Sequence, residues 1–207
     1  MKAIFSACKI AILFLLIQFI SCKKNAKTIN SVKQEVEVVT QKTKLKAEDF
    51  QIQIDGRKTN FYVLTNKNGV EVTFTDYGQR LTSIIVPDKN GKFEDVALGF
   101  NTLKKYISAR EKYMGSFIGR YANRIAKGKF LIEGRQYNLY TNNGENHLHG
   151  GHKGFNNVVW DVHKLKGNEI EFVRTSPDGE EGYPGNLNVK VNYLLMNLVC
   201  NFIVVIF

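Results

Sequence analysis

The sequence predicts a mostly β protein built as an antiparallel sandwich, and three observations carry that expectation. First, apolar and polar residues alternate at a period of two. Val70, Val72 and Phe74 alternate with Glu71, Thr73 and Thr75, and Leu187, Val189 and Val191 alternate with Asn188, Lys190 and Asn192. Such a period places one set of side chains on each face of a strand, so each run reads as a half-buried strand. Second, turn formers close the runs at short intervals, as at Pro87-Asp88-Lys89-Asn90-Gly91 and Gly167-Asn168. Third, no strand-helix-strand rhythm is present. Only Leu103 to Tyr113 has helical character, which favours antiparallel over parallel pairing.

The chain of 207 residues has room for one domain with a sizeable core. Residues 1–21 stand outside it. Lys2 and Lys9 precede an apolar run from Ile10 to Ile20, interrupted by Gln18, and Ser21 precedes Cys22. This is the layout of a secretory signal, too short to span a bilayer. A cysteine after a small residue reads as a lipoprotein box, with Cys22 as the lipidation site; the plainer alternative is an ordinary signal peptide. Residues 22–48 then read as the acylated cysteine and a flexible, lysine-rich tether. Val36 to Val39 is a weak strand candidate within it.

The net charge of +10 is concentrated in these leading segments. Residues 23–46 hold seven lysines and two glutamates, and only +3 remains for residues 47–207. No basic stripe with interleaved aromatics is present, so nucleic acid is excluded as a partner. The tether suits anionic lipid headgroups instead. Cys8 leaves with the signal and Cys22 is acylated, so Cys200 has no partner for an internal disulfide.

Along the domain, Leu81 to Val86 forms a second strand ending at the Pro87–Gly91 turn. Phe130 and Ile132 face Tyr137 and Leu139 across a hairpin at Glu133-Gly134. Val158 to Val162 and Ile170 to Val173 flank the turn at Gly167-Asn168.

Polar groups able to do chemistry gather in Gly119-Arg120-Tyr121-Ala122-Asn123-Arg124-Ile125-Ala126-Lys127-Gly128 and in Asn146-His147-Leu148-His149-Gly150-Gly151. Arginine offers a rigid fork of donors and asparagine both a donor and an acceptor, a pair suited to vicinal hydroxyls. A strand-bridging arginine is the structural alternative. His147 and His149, two apart, would share one face of a strand. They read as a metal pair completed by His152 or an acid, as structural histidines, or as ligand contacts. Asp178, Glu180 and Glu181 could loosely hold Ca2+, though nothing fixes a ligand cage. Trp160 and Phe155 could stack on a ring, but the core is their default.

These two segments, with Gly154-Phe155-Asn156-Asn157-Val158-Val159-Trp160 and Ser176-Pro177-Asp178-Gly179-Glu180-Glu181-Gly182-Tyr183-Pro184-Gly185, resemble the aldose 1-epimerase (galactose mutarotase) family over about residues 65–192. The resemblance implies a large antiparallel β-sandwich, here incomplete, with residues 49–192 as the N-terminal part of the domain. It implies an isomerase that interconverts the α and β anomers of free aldohexoses such as galactose and glucose, with no cofactor. It also implies that Asn123, Arg124 and His149 contact the sugar, that Gly150 and Gly151 let the backbone approach it, and that Ser176–Gly185 marks the fold.

The family's general acid is a histidine in an Asn-His-Ser-Tyr-Phe-like strand, and its general base is a glutamate near the C-terminus. Neither segment occurs in this sequence. Residues 193–207 instead lose the alternation and carry no charge. They read as out-of-frame translation or a truncated gene, with a membrane segment as the rival. The expected protein is thus a monomeric lipoprotein of a bacterial envelope, facing the periplasm, bound to an aldohexose and to the membrane. A non-catalytic sugar-binding lipoprotein and a non-functional fragment are the alternatives. His147, His152 and His163 are the spare imidazoles that could separate them.

Overall fold

Hairpins between sequence neighbours generate most of the architecture, as the closely spaced turn signals require. The computed structural model describes residues 42–197 and the backbone of 200–206. The signal segment, Cys22, the tether up to residue 41 and the Val36–Val39 candidate therefore lie outside the described residues.

One four-stranded antiparallel sheet runs β3 (Phe61–Thr65), β4 (Glu71–Thr75), β5 (Arg80–Pro87) and β6 (Phe93–Asp95) in order. A second runs β11 (Asp161–Lys166), β12 (Glu169–Ser176), β13 (Leu187–Leu195) and β14 (Cys200–Ile206). Two-stranded ribbons accompany them: β1 (Gln53–Ile54) with β2 (Arg57–Lys58), β8 (Lys129–Ile132) with β9 (Arg135–Asn138), and β7 (Arg124–Ile125) with β10 (His147–Leu148). The predicted hairpin at Glu133-Gly134 forms with Phe130 opposite Tyr137, but Ile132 faces Arg135 and not Leu139. The helix α1 covers only Leu103–Ser108, capped by the Thr102 hydroxyl. It stops short of Tyr113 because the following loop gives the carbonyls of Lys112 and Met114 to the buried Arg80 guanidinium.

The two large sheets pack face to face, as a sandwich requires. Leu64, Val72 and Phe74 meet Ile170, Phe172, Val189 and Val191, with Phe155 and Trp160 filling the same core. Phe74 and Phe172 have ring centroids 5.9 Å apart. Burial of these apolar side chains contributes about 1.5–3 kcal/mol each and dominates the stability of the sandwich.

β4 departs from the half-buried expectation: both of its faces are buried. The chain at Lys42 and Thr43 covers the Glu71 end of its polar face. There the Glu71 carboxylate accepts the backbone N–H groups of Lys42 (2.9 Å) and Thr43 (2.7 Å). On the same face the Thr73 and Thr82 hydroxyls bond at 2.7 Å. The end of the expected tether is thus part of the fold.

Residues 193–195, expected within a hydrophobic tail, complete β13, and residues 200–206 pair with it as β14 from Leu195↔Cys200 to Val189↔Ile206. Tyr193 packs its ring 4.7 Å from that of Phe74. No helix among the described residues is long and apolar enough to cross a membrane.

Candidate functional site

The ribbon of β7 and β10 brings the two polar segments together, pairing Arg124 with Leu148 and Ile125 with His147. Just outside it, Asn123 (φ 65°) and His149 (φ 52°) both adopt left-handed backbone conformations. Asparagine and histidine are among the non-glycine residues that tolerate this region best. The two residues bond reciprocally. The His149 N–H donates to the Asn123 carbonyl at 3.0 Å, and the Asn123 N–H donates to His149 Nδ1 at 2.9 Å.

A backbone N–H can only donate, so His149 Nδ1 must accept, and the neutral ring carries its hydrogen on Nε2. Burial, and then the nearby Arg124 charge, hold His149 below the ordinary imidazole pKa, with Glu111 opposing. Tyr113 lays its ring against the imidazole, centroid to centroid 4.6 Å. Arg124 Nη1 donates to Asn123 Oδ1 at 3.2 Å, and its Nε donates to Asn143 Oδ1 at 3.0 Å. Asn123, Arg124 and His149 therefore converge. What they present differs from the sequence expectation. Asn123 Oδ1 uses one of its two lone pairs on Arg124, and among the described residues Asn123 Nδ2, Arg124 Nη2 and His149 Nε2 are donors left for a ligand.

His147 takes another role. The ring is fully buried; Nδ1 donates to the Tyr140 carbonyl at 2.7 Å and Nε2 accepts from the Tyr183 hydroxyl at 2.7 Å. No ring nitrogen is left for a metal. β10 ends at Leu148, and the turn at His149 carries the second imidazole away from the first. His152 Nε2 bonds to the Thr141 carbonyl at 3.0 Å. Burial pushes the Tyr183 phenol up to about 12, so it stays a neutral donor to His147.

Gly150 and Gly151 serve the protein backbone. A Cβ on Gly150 (φ +87°) would lie 1.6 Å from the Gly119 carbonyl oxygen, and one on Gly151 would lie 2.1 Å from Glu181 Oε2. The close approach expected for a ligand is thus made by Gly119 and Glu181. The Glu181 carboxylate accepts the N–H groups of His152 (2.9 Å) and Lys153 (2.8 Å).

Arg120, which the sequence reading leaves without a role, holds the Ser176–Gly185 loop against the site. It donates to Ser176 Oγ (2.7 Å) and to the carbonyls of Ser176 (2.8 Å), Pro177 (2.8 Å), Pro184 (3.0 Å) and Gly185 (2.9 Å). The three loop carboxylates considered for Ca2+ turn to protein partners. Asp178 takes the Gly185 N–H, Glu180 pairs with Arg174 and the Ser176 hydroxyl, and Glu181 holds the 152–153 turn. Among the described residues no group of three metal-ligating side chains comes together. Trp160 and Phe155 lie in the core, with Trp160 Nε1 donating to the Phe155 carbonyl at 3.0 Å.

Asn142 and Asn143 also escaped the sequence reading. The Asn142 amide clamps Leu148 through both N–H and carbonyl, and also bonds the Gly151 carbonyl. Only the Asn142-Asn143-Gly144 turn signal could have drawn attention to them. Beside these groups a cleft of about 420 Å³ opens between Arg120, Tyr121, Arg124, Phe130, Tyr183 and Leu187. That volume suits a small ligand. Of the three predicted site residues, Arg124 alone lines it.

Comparison with known proteins finds relatives of this fold. A galactose mutarotase of Sus scrofa is 49% identical over 126 residues, which cover 61% of this chain and 36% of that protein. An aldose 1-epimerase of Escherichia coli (strain K12) is 35% identical over 141 residues, 68% of this chain and 40% of that one. The chain thus spans well under half the length of the curated relatives it matches. Among solved structures, an aldose epimerase homologue from C. elegans superposes with a TM-score of 0.62 at 32% identity, covering 66% of this chain and 42% of the other. A galactose 1-epimerase from Lactobacillus acidophilus NCFM superposes with a TM-score of 0.61 at 29% identity, covering 70% and 43%. The aldose 1-epimerase family model matches residues 60–199, past the Asn192 limit of the sequence resemblance, and on that match the chain belongs to the aldose 1-epimerase family.

Proposed function

We propose that this chain forms the hydroxyl-binding side of a mutarotase that interconverts the α and β anomers of free aldohexoses such as galactose and glucose. The observation that carries this reading is the convergence of Asn123, Arg124 and His149 through their own mutual hydrogen bonds. Donors fixed before the ligand arrives cost little further ordering on binding.

Ring opening also needs a proton delivered to the ring oxygen and one removed from the anomeric hydroxyl. A neutral His149 whose Nδ1 is already occupied offers a hydrogen bond at Nε2 in place of a proton. His149 is therefore assigned to binding the sugar and not to proton transfer. A non-catalytic sugar-binding protein is the second reading, favoured by the neutral His149 that donates a hydrogen bond and no proton.

Titration calorimetry of the intact protein with galactose and glucose tests the assignment. Arg124→Ala and His149→Ala should each weaken binding by about 1–3 kcal/mol, roughly five- to 150-fold in Kd. Unchanged affinity in either variant would sink it. Polarimetry separates the two readings: accelerated mutarotation excludes the non-catalytic one, and its loss in His149→Ala would overturn the binding-only role of His149. We also propose export and membrane anchoring through acylated Cys22, on the lipobox-like run before it; membrane fractionation of Cys22→Ala tests this.

A further inference from the structure

We propose that Asn143 is the positioning residue for Arg124, fixing the guanidinium in the orientation that receives the sugar. The inference rests on the sugar-site reading and deepens it.

Arg124 is exposed on a two-residue strand, and its long side chain has many rotamers to lose. Freezing an arginine costs about 2 kcal/mol of rotamer entropy, a cost that falls on ligand binding unless the protein has already met it. Here two protein acceptors hold the fork. Asn123 Oδ1 takes Nη1, but Asn123 is the adjacent residue, and its bond alone leaves the guanidinium free to swing with it. Asn143 Oδ1 takes Nε from nineteen residues away in the chain. With Nε fixed, the plane of the fork is fixed, and Nη2 is left with both hydrogens for a ligand.

The Asn143 oxygen is itself on a rigid support. Its backbone N–H donates to the Asn146 carbonyl and its carbonyl accepts from the Asn146 N–H, both at 3.1 Å. Asn146 Oδ1 accepts the Lys127 N–H at 3.2 Å. The preceding Asn142 amide bonds Leu148 N–H at 2.6 Å and the Leu148 carbonyl at 2.9 Å. Leu148 is the residue that pairs with Arg124 across the ribbon. The Asn143 acceptor is thus tied to the backbone that carries the arginine it orients. The turn around Asn143 is closed by backbone bonds and by Asn142. The Asn143 side chain is therefore free for Arg124, and its loss leaves the turn in place.

The test compares the intact protein with Asn143→Ala, Asn143→Asp and Arg124→Ala, reading galactose affinity by calorimetry and the His149 titration by NMR. His149 is faced by Arg124, Glu111 and Tyr113. Asn143→Ala should weaken galactose roughly three- to tenfold, a loss of about 0.6–1.4 kcal/mol. The His149 midpoint should also rise, because a wandering Arg124 no longer holds its charge beside the ring. Asn143→Asp keeps the oxygen and should restore affinity. Wild-type affinity and titration in Asn143→Ala, with Arg124→Ala still impaired, would overturn the positioning role while leaving the sugar site intact. Unchanged affinity in Arg124→Ala would overturn the sugar-site reading, and this role with it. If Asn143→Ala fails to fold, Asn143→Ser decides in its place, since its shorter hydroxyl cannot reach Nε.

Discussion

Tyr183→Phe deletes one oxygen and should unbalance a fully buried histidine. His147 Nδ1 donates to the Tyr140 carbonyl, which fixes the tautomer and leaves Nε2 able only to accept. The Tyr183 hydroxyl is the donor it accepts from, at 2.7 Å, with the two rings edge to face at 5.2 Å. Phenylalanine keeps the ring packing against Phe130 and under Arg120. The change therefore isolates the hydrogen bond. A buried acceptor left without a donor costs about 1–3 kcal/mol. At a urea m-value of about 2 kcal/mol/M, a loss of 2 kcal/mol lowers the unfolding midpoint by about 1 M. The companion variant His147→Leu removes the acceptor, so Tyr183→Phe should cost far less in that background. Equal costs in the two backgrounds, or a loss below about 0.5 kcal/mol in the wild type, would refute the coupling.

Two further outcomes follow from the site and the leader. Because burial and Arg124 lower the His149 pKa, the folded ring stays neutral as pH falls past the ordinary imidazole value, and the folded state then binds fewer protons than the unfolded one. Its contribution to stability is therefore full above the ordinary value and lost as pH falls through the window below it; an NMR midpoint at or above the ordinary value would contradict the geometry. Cys22→Ala should move the protein from the membrane to the soluble fraction, and its retention in the membrane pellet would exclude acylation at Cys22 as the anchor.

The strands were legible where one face meets the core and the other meets water or a polar partner. β13 up to Asn192 follows from period-two alternation, and the β8–β9 turn follows from Glu133-Gly134, though neither the end of β13 at Leu195 nor the Ile132–Arg135 pairing does. β4 shows where that logic stops. Residues 42–46 have no apolar period, and they cover Glu71 with backbone N–H groups that are the same in every sequence. No hydropathy pattern reports such a contact. The Gly150-Gly151 pair was visible as a place of close approach, but the approaching groups come from Gly119 and from Glu181, thirty residues away on either side. Asn123, Arg124 and His149 were identifiable by type and by family resemblance. Their mode of action was not, because it depends on two left-handed backbone conformations and on an asparagine in a neighbouring turn.

That mode constrains what can complete the site. A sugar hydroxyl that accepts a hydrogen bond from Arg124 Nη2 or His149 Nε2 still has its own O–H to place. Arginine has no acceptor and His149 Nδ1 already receives the Asn123 N–H, so among the three side chains the second lone pair of Asn123 Oδ1 is the acceptor left. An O–H that a bound sugar buries without an acceptor costs about 1–3 kcal/mol. A sugar bound as proposed therefore gains from further acceptors that face these donors. A carboxylate is the acceptor that can both take such a hydrogen bond and remove the proton. Ring opening further requires a group that delivers a proton to the ring oxygen, which these hydrogen-bond donors do not supply.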